Sequence, residues 1–250
     1  MELKGKVAIV TGGNGGLGRR ISFALAKNGV DVAIIFKESE QEAKSVSDEV
    51  RSFGVNSFPF QCDISKSEDV KSMLKAVENK FHRLDILINN AAYNKWIPFS
   101  NLEDMTEDEW NKMLQINLTG HLMCMKYSSP YMKKQGAGRI VNISSVAGVA
   151  PTGSSIGYAV AKSGLNHLTK CMAVAVAPDI LVNCVAPGFL EGTRATSNLA
   201  PSYREMAKNK SLLKKAADKD DVADQVLTFC KTDTTTGQVL ILDSGRLLSY

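Results

Sequence analysis

The chain is 250 residues long, 44% hydrophobic, and carries 30 lysines and arginines against 26 acids, a net charge of +4. That size and hydrophobic share suit one large α/β domain and exclude a disordered chain. The basic residues never cluster beyond pairs such as Lys133-Lys134 or Lys214-Lys215, which excludes the basic stripe of a nucleic-acid binder.

An apolar run at 6–10 ends in Thr11 and a glycine-rich turn, after which Leu17, Ile21, Leu25 and Ala26 recur at helical spacing as far as the stop Asn28-Gly29. A buried strand at 32–36 and a helix at 40–53 follow, then a strand at 57–61, Asp63, and a helix ending near 82. The fourth strand, 84–88, ends in Asn89-Asn90-Ala91-Ala92. A loop with Tyr93, Trp96 and Pro98 leads to a long helix over 107–134, interrupted near 117–120. Residues 139–143 make the fifth strand, and the helix carrying Tyr158 runs to 177, where Pro178 stops it. Strands at 180–185 and 239–242 close the sequence, with a loop at 187–200 and helical segments near 201–213 and 219–230 between them. Short apolar strands alternating with helices, without repeat or linker, predict one doubly wound Rossmann-type α/β domain over 1–250. Its seven-stranded parallel sheet carries helices on both faces.

The five cysteines show no CxxC spacing, and the three histidines are scattered. This predicts reduced, mostly buried thiols, no metal site and a cytoplasmic setting. No apolar run approaches a membrane span, and the N-terminus enters a strand without a signal segment, so no membrane partner is expected.

Chemistry concentrates at two places. The first is Thr11-Gly12-Gly13-Asn14-Gly15-Gly16-Leu17-Gly18, between the first strand and the first helix. Glycines there let backbone approach a pyrophosphate, and the helix N-terminus offers free N–H groups and a positive dipole end. Two spacings overlap: Gly13, Gly15 and Gly18 fit GxGxxG, and Gly12, Gly16 and Gly18 fit GxxxGxG. Asn14 and Leu17 lie inside the turn and are counted as cofactor contacts.

The second place is Ser145 with Tyr158 and Lys162. Tyrosine and lysine four apart share one face of a helix, and an ammonium beside a phenol lowers the phenol's pKa toward the working range of a general acid. Gly153-Ser154-Ser155-Ile156-Gly157 also matches the GxSxG elbow of serine hydrolases. Pro151 spoils the strand that elbow needs, and the only later histidine, His167, lies on the same helix, so a hydrolase is excluded.

TGGNGGLG, then Asp63, NNAA, Asn117, Ser145, Tyr158, Lys162 and Pro187-Gly188, in this order from about residue 5 to 245, resemble the short-chain dehydrogenase/reductase family. The resemblance implies a catalytic set of Asn117, Ser145, Tyr158 and Lys162, with Tyr158 as acid, Lys162 lowering its pKa and holding the ribose, Ser145 orienting the reacting oxygen, and Asn117 holding a water. It places Asp63 and Ile64 by the adenine, Asn90 and Ala91 in the central cleft, and Pro187, Gly188 and Thr193 at the nicotinamide end. Two departures stand out: Ala92 replaces the family's second glycine of Asn-Asn-Ala-Gly, and Ser244-Gly245 replaces a Gly-Gly pair.

Several expectations follow from this likeness. Phe36 and Lys37 occupy the place where an NAD-user carries an acid, which favours the 2′-phosphate of NADP(H), with Ser39 a further donor. Glu38, read as exposed and turned away, leaves NAD(H) possible. Tyr93, Trp96, Ser155 and Phe189 are candidate substrate contacts, and 189–215 is the expected lid. These surroundings are uncharged, which suits a neutral ketone or secondary alcohol. A 3-oxoacyl carrier-protein reductase is the alternative, with Lys208, Lys210, Lys214 and Lys215 as docking charges, and a non-catalytic nucleotide binder is the alternative of another class. Surplus apolar residues (Met113, Leu122, Met123, Met125, Leu168, Met172, Val174 and Val176) predict a homotetramer or homodimer.

Overall fold

Strand sequences such as VAIVT and DVAIIF are apolar at successive positions, so both faces of their sheet need a covering layer. The computed structural model describes residues 1–197 and 199–249. Its strands are β1 (Val7–Thr11), β2 (Asp31–Phe36), β3 (Ser57–Gln61), β4 (Ile86–Asn89), β5 (Gly138–Ile143), β6 (Ile180–Pro187) and β7 (Val239–Leu242). Its helices are α1 (Gly16–Lys27), α2 (Glu40–Arg51), α3 (Ser67–Phe81), α4 (Glu107–Leu114), α5 (Gly120–Lys134), α6 (Ile156–Val176), α7 (Arg194–Ser197), α8 (Pro201–Asn209) and α9 (Lys219–Lys231). The strands pair in parallel in the order β3-β2-β1-β4-β5-β6-β7.

Alternate strand residues feed two cores. Ala8, Val10, Val32 and Ile34 pack with α1, α2 and α9, whereas Val7, Ile9, Ala33 and Ile35 pack with α3, α5 and α6. The strand order reverses between β1 and β4, which opens a crevice at the carboxyl ends of the strands. At the opposite end, Asp85 leads into β4 wholly buried. It accepts two bonds of 2.8 Å from Arg83 and one of 2.9 Å from the Val7 N–H, with Lys6 at 3.6 Å.

The interruption expected near 117–120 in the long helix is a π-helical turn at Gln115–Thr119, which divides it into α4 and α5. Gly120 follows that turn because a Cβ there would come within 2.9 Å of the Ile64 carbonyl oxygen. The loop at 187–200 contains α7, too short to leave a periodic signature. Most of the apolar surplus is absorbed: Met113, Met125 and Val176 are core, while Val174 is 82% exposed. Among the described residues no helix is long and apolar enough to cross a membrane.

Candidate functional site

The strand ends build the site. β1 delivers Thr11 and the glycine turn, where Gly12 lies in the left-handed region at φ +62° and a Cβ on Gly18 would overlap the Gly12 carbonyl oxygen. A Cβ on Gly16 would come within 2.6 Å of the Gly192 carbonyl oxygen, whereas Gly15 has 3.3 Å to its nearest neighbour. Gly13 is tight as well, 2.9 Å from the Val10 carbonyl oxygen, so what favours the GxxxGxG spacing is the positive φ of Gly12 and the close approach at Gly16, with Gly15 the loosest of the turn's glycines. β4 delivers Asn90, whose amide donates to the carbonyls of Thr11 and Gly12 at 2.9 and 3.1 Å. The Thr11 hydroxyl accepts from the N–H groups of Asn90 and Ala91 at 2.9 and 3.0 Å. These bonds fasten the two strand ends across the switch point.

From β5 come Ser144 and Ser145. The Ser145 hydroxyl accepts from the Ala147 N–H at 3.1 Å. α6 begins where the Ser155 hydroxyl accepts from the Tyr158 N–H at 3.2 Å, an N-cap that sets the helix register. One turn then aligns Tyr158 with Lys162, whose Nζ lies 5.7 Å from the Tyr158 ring centroid and donates to the Ile143 carbonyl at 2.8 Å. β6 delivers Pro187, Gly188 and Phe189.

Burial decides the electrostatics here. It pushes the Tyr158 phenol up to about 12, against an opposing hydrogen bond from Ser145. The Lys162 ammonium, also buried, is pulled down to about 8. The lowering of the Tyr158 pKa by Lys162 expected from the sequence is not what the site shows: desolvation dominates, and the effect that opposes it is the Ser145 hydrogen bond. His121 Nε2 sits 2.8 Å from the Ala91 carbonyl oxygen, and burial pulls its imidazole down to about 3, so the neutral ring donates that bond.

A cleft of about 590 Å³ gathers most of the residues singled out above. Gly12, Asn14, Gly16, Leu17, Gly18, Lys37, Asp63, Ile64, Asn90 and Ala91 line it, and so do Tyr93, Ser145, Tyr158, Lys162, Pro187, Gly188, Phe189 and Thr193. Lys37 Nζ is 2.9 Å from Asp63. Burial raises the Asp63 carboxyl, but bonds from Ser65 and the Lys37 ammonium outweigh it and hold the group below its usual range.

Five expected contacts lie elsewhere. Phe36 is packed in the core, 5% exposed, because its strand position points away from the crevice. Ser39 takes a left-handed conformation (φ 64°) at the start of α2 and is exposed to solvent. The Asn117 amide is spent on backbone, accepting from the Tyr93 N–H and donating to the carbonyls of Tyr93 and Met113. Ser155 serves as the α6 cap and donates to Met113 Sδ. Trp96 stands behind Tyr203, ring to ring at 5.1 Å, and it is Tyr203 that lines the cleft. Arg246, Tyr203, Leu199 and Lys112 line it too. No spacing in the sequence marks them, since they arrive from separate segments. Arg246 also departs from the uncharged surroundings expected for the substrate.

A parallel sheet with its glycine turn at the switch point, facing Ser145, Tyr158 and Lys162, defines a nucleotide-dependent oxidoreductase cleft. The sequence pattern described as short chain dehydrogenase matches residues 6–204. The chain belongs to that family and is an oxidoreductase whose family binds NAD(P).

It is 34% identical over 246 residues to 3-oxoacyl-(acyl-carrier-protein) reductase FabG of Staphylococcus aureus, covering 97% of this chain and 98% of that one. Against the FabG of Aquifex aeolicus the identity is 34% over 249 residues, 98% of each. Among solved structures, the NADPH-dependent 3-quinuclidinone reductase of Rhodotorula rubra superposes with a TM-score of 0.92 at 28% identity, covering 99% of this chain and 93% of that one. Levodione reductase superposes with a TM-score of 0.92 at 26% identity, covering 99% of both chains.

Proposed function

We propose that the protein reduces a medium-sized ketone to a secondary alcohol, with NADPH as donor and Tyr158 as general acid. The observation that carries this reading is the single cleft shared by the glycine turn and by Ser145, Tyr158 and Lys162. A dinucleotide suits the cleft, because Gly12, Gly16 and Gly18 line it at the α1 N-terminus, where free N–H groups and the positive dipole end favour a pyrophosphate. The cofactor, when bound, supplies hydride to the carbonyl carbon. The Tyr158 hydroxyl gives its proton to the carbonyl oxygen. The Ser145 hydroxyl donates a hydrogen bond to that oxygen as its charge develops. Lys162 holds the ribose hydroxyls, and Asn117 acts by fixing the Tyr93 backbone at the cleft wall. Residues 189–215 form the lid. NADPH oxidation measured against a panel of ketones and diketones tests the reading, and a protein that binds NADPH but turns over none of them is a nucleotide binder instead.

NADPH is favoured by Lys37, which stands at the end of β2 with its side chain 52% exposed. Lys37→Ala raises the KM for NADPH about tenfold, the usual loss for one phosphate contact, and leaves NADH unchanged. Glu38 supports the NAD(H) alternative, since it also lines the cleft; side-by-side kinetics with NADPH and NADH decide between the two, and an unchanged NADPH KM in Lys37→Ala removes this phosphate contact.

Likeness to carrier-protein reductases supports a second reading, reduction of a 3-oxoacyl chain on a carrier protein. The lid lysines weaken it: Lys208 pairs with Glu191 and Glu205, and Lys214 donates to the Asn209 carbonyl. Efficient turnover of acyl-carrier substrates beside negligible turnover of free ketones establishes the second reading.

The protein assembles as a homotetramer or homodimer. Edge strand β7 supports this, with Leu240 37% and Ile241 43% exposed. Light scattering at micromolar concentration gives a multiple of the protomer mass, and a monomer there removes the proposal.

A further inference from the structure

Among the described residues, Arg246 is an arginine without an acid. Elsewhere Arg20 is held by Asp220, Arg194 by Glu42, and Arg204 by the carbonyls of Leu199 and Ser197. Among the described residues the Arg246 guanidinium has one hydrogen bond, 3.3 Å to the Thr152 hydroxyl, and it lies over the Tyr203 ring at 5.4 Å. Its nearest acid in sequence is already used. The Asp243 carboxylate accepts from the N–H groups of Gly245 and Leu247 at 2.8 Å each. Those bonds fix a turn with Ser244 and Gly245 both at positive φ (59° and 76°), and the turn aims Arg246 at the cleft. A planar guanidinium laid on an aromatic face, with most of its five donors uncommitted, matches the two oxygens of a carboxylate.

A second observation points to a polar ligand in the same place. Ser154 lines the cleft and is 2% exposed, and its hydroxyl has no partner among the described residues. A buried hydroxyl left without a hydrogen bond is costly unless a bound molecule supplies one. Tyr203 ties Arg246 to Thr152, since its ring lies under the guanidinium and its hydroxyl is 3.2 Å from that of Thr152.

We propose that Arg246 binds a carboxylate of the substrate, and that the substrate is an oxoacid. Its ketone carbonyl reaches Tyr158 across the uncharged middle of the cleft, while its carboxylate, a short chain away, sits on Arg246 and meets Ser154 on the way. The proposal rests on the ketone-reductase reading above.

The test compares wild type with Arg246→Met and Arg246→Lys, using NADPH with levulinate, its next higher homologue, and their methyl esters. Wild type favours each acid over its ester, and Arg246→Met lowers kcat/KM for the acids by about 30–100-fold, mostly through KM, while the esters change by less than about threefold. Arg246→Lys restores part of the loss. An equal fall for acids and esters, or wild type that favours the esters, overturns the proposal while leaving ketone reduction standing.

A binding readout separates the two readings further. Trp96 packs on Tyr203, so levulinate added with NADP+ quenches tryptophan fluorescence saturably in wild type and not in Arg246→Met. If neither acid nor ester is reduced but this quench is seen, the carboxylate site stands and the ketone-reductase reading falls. Absence of the quench in wild type together with no preference for acids overturns the Arg246 assignment.

Discussion

Tyr158→Phe lowers kcat by about 10²–10⁴-fold, the range for loss of a positioned general acid, while the affinity for NADPH stays within about twofold of wild type. The ring remains under Lys162 and beside Gly153, so the cleft keeps its shape. Only the proton is gone. Direction of catalysis supplies a second readout. With the phenol pushed up to about 12, the protonated form that reduction needs is present throughout the neutral range. Oxidation of the alcohol needs the phenolate, so its rate climbs with pH through the alkaline range while reduction does not. Retention of more than about a tenth of wild-type kcat in Tyr158→Phe removes Tyr158 from the acid's role.

Asp85→Ala lowers stability by about 2–4 kcal/mol, toward the lower end of the cost of breaking a buried ion pair. It strands the Val7 N–H inside the sheet and leaves the guanidinium of Arg83 without its two bonds. Arg83 and Lys6 are 33% and 28% exposed, and water recovers part of the loss. For a chain of this size the midpoint of thermal unfolding falls by roughly 5–15 °C. Asp85→Asn, which still offers an oxygen to Val7, falls between the two. A shift under about 2 °C in Asp85→Ala shows that the sheet end does not depend on this cluster.

How much of this was legible in the sequence depended on how locally each feature is encoded. β3 and β7 were read to the residue and the other strands to within a few, because apolar runs flanked by turns leave little alternative. The glycine turn could be placed, and its spacing could not, since only the left-handed backbone at Gly12 and the approach of Gly16 to Gly192 separate the two overlapping patterns. A four-residue spacing put Tyr158 and Lys162 on one face. It carried no information on how deeply both are buried, and burial reverses the sign of the Tyr158 shift. Asn117 was found, but its partner Tyr93 depends on a π-turn that has no composition of its own. Arg246 was invisible because its neighbours Thr152 and Tyr203 are distant in sequence.

The approach of Gly16 to the Gly192 carbonyl sets a rule for loop grafting. The segment proposed as the lid, which begins at Phe189, looks exchangeable between relatives, since α8 within it is mostly exposed or half-buried. Its root, however, is pressed against the opening residue of α1, with no room for even a methyl group between the two backbones. A chimera carrying a foreign segment from 189 onward therefore inherits a constraint from residue 16. Unless the donor backbone retraces the path of Gly192, the graft displaces the first helix and costs the recipient its nucleotide before any substrate is tried.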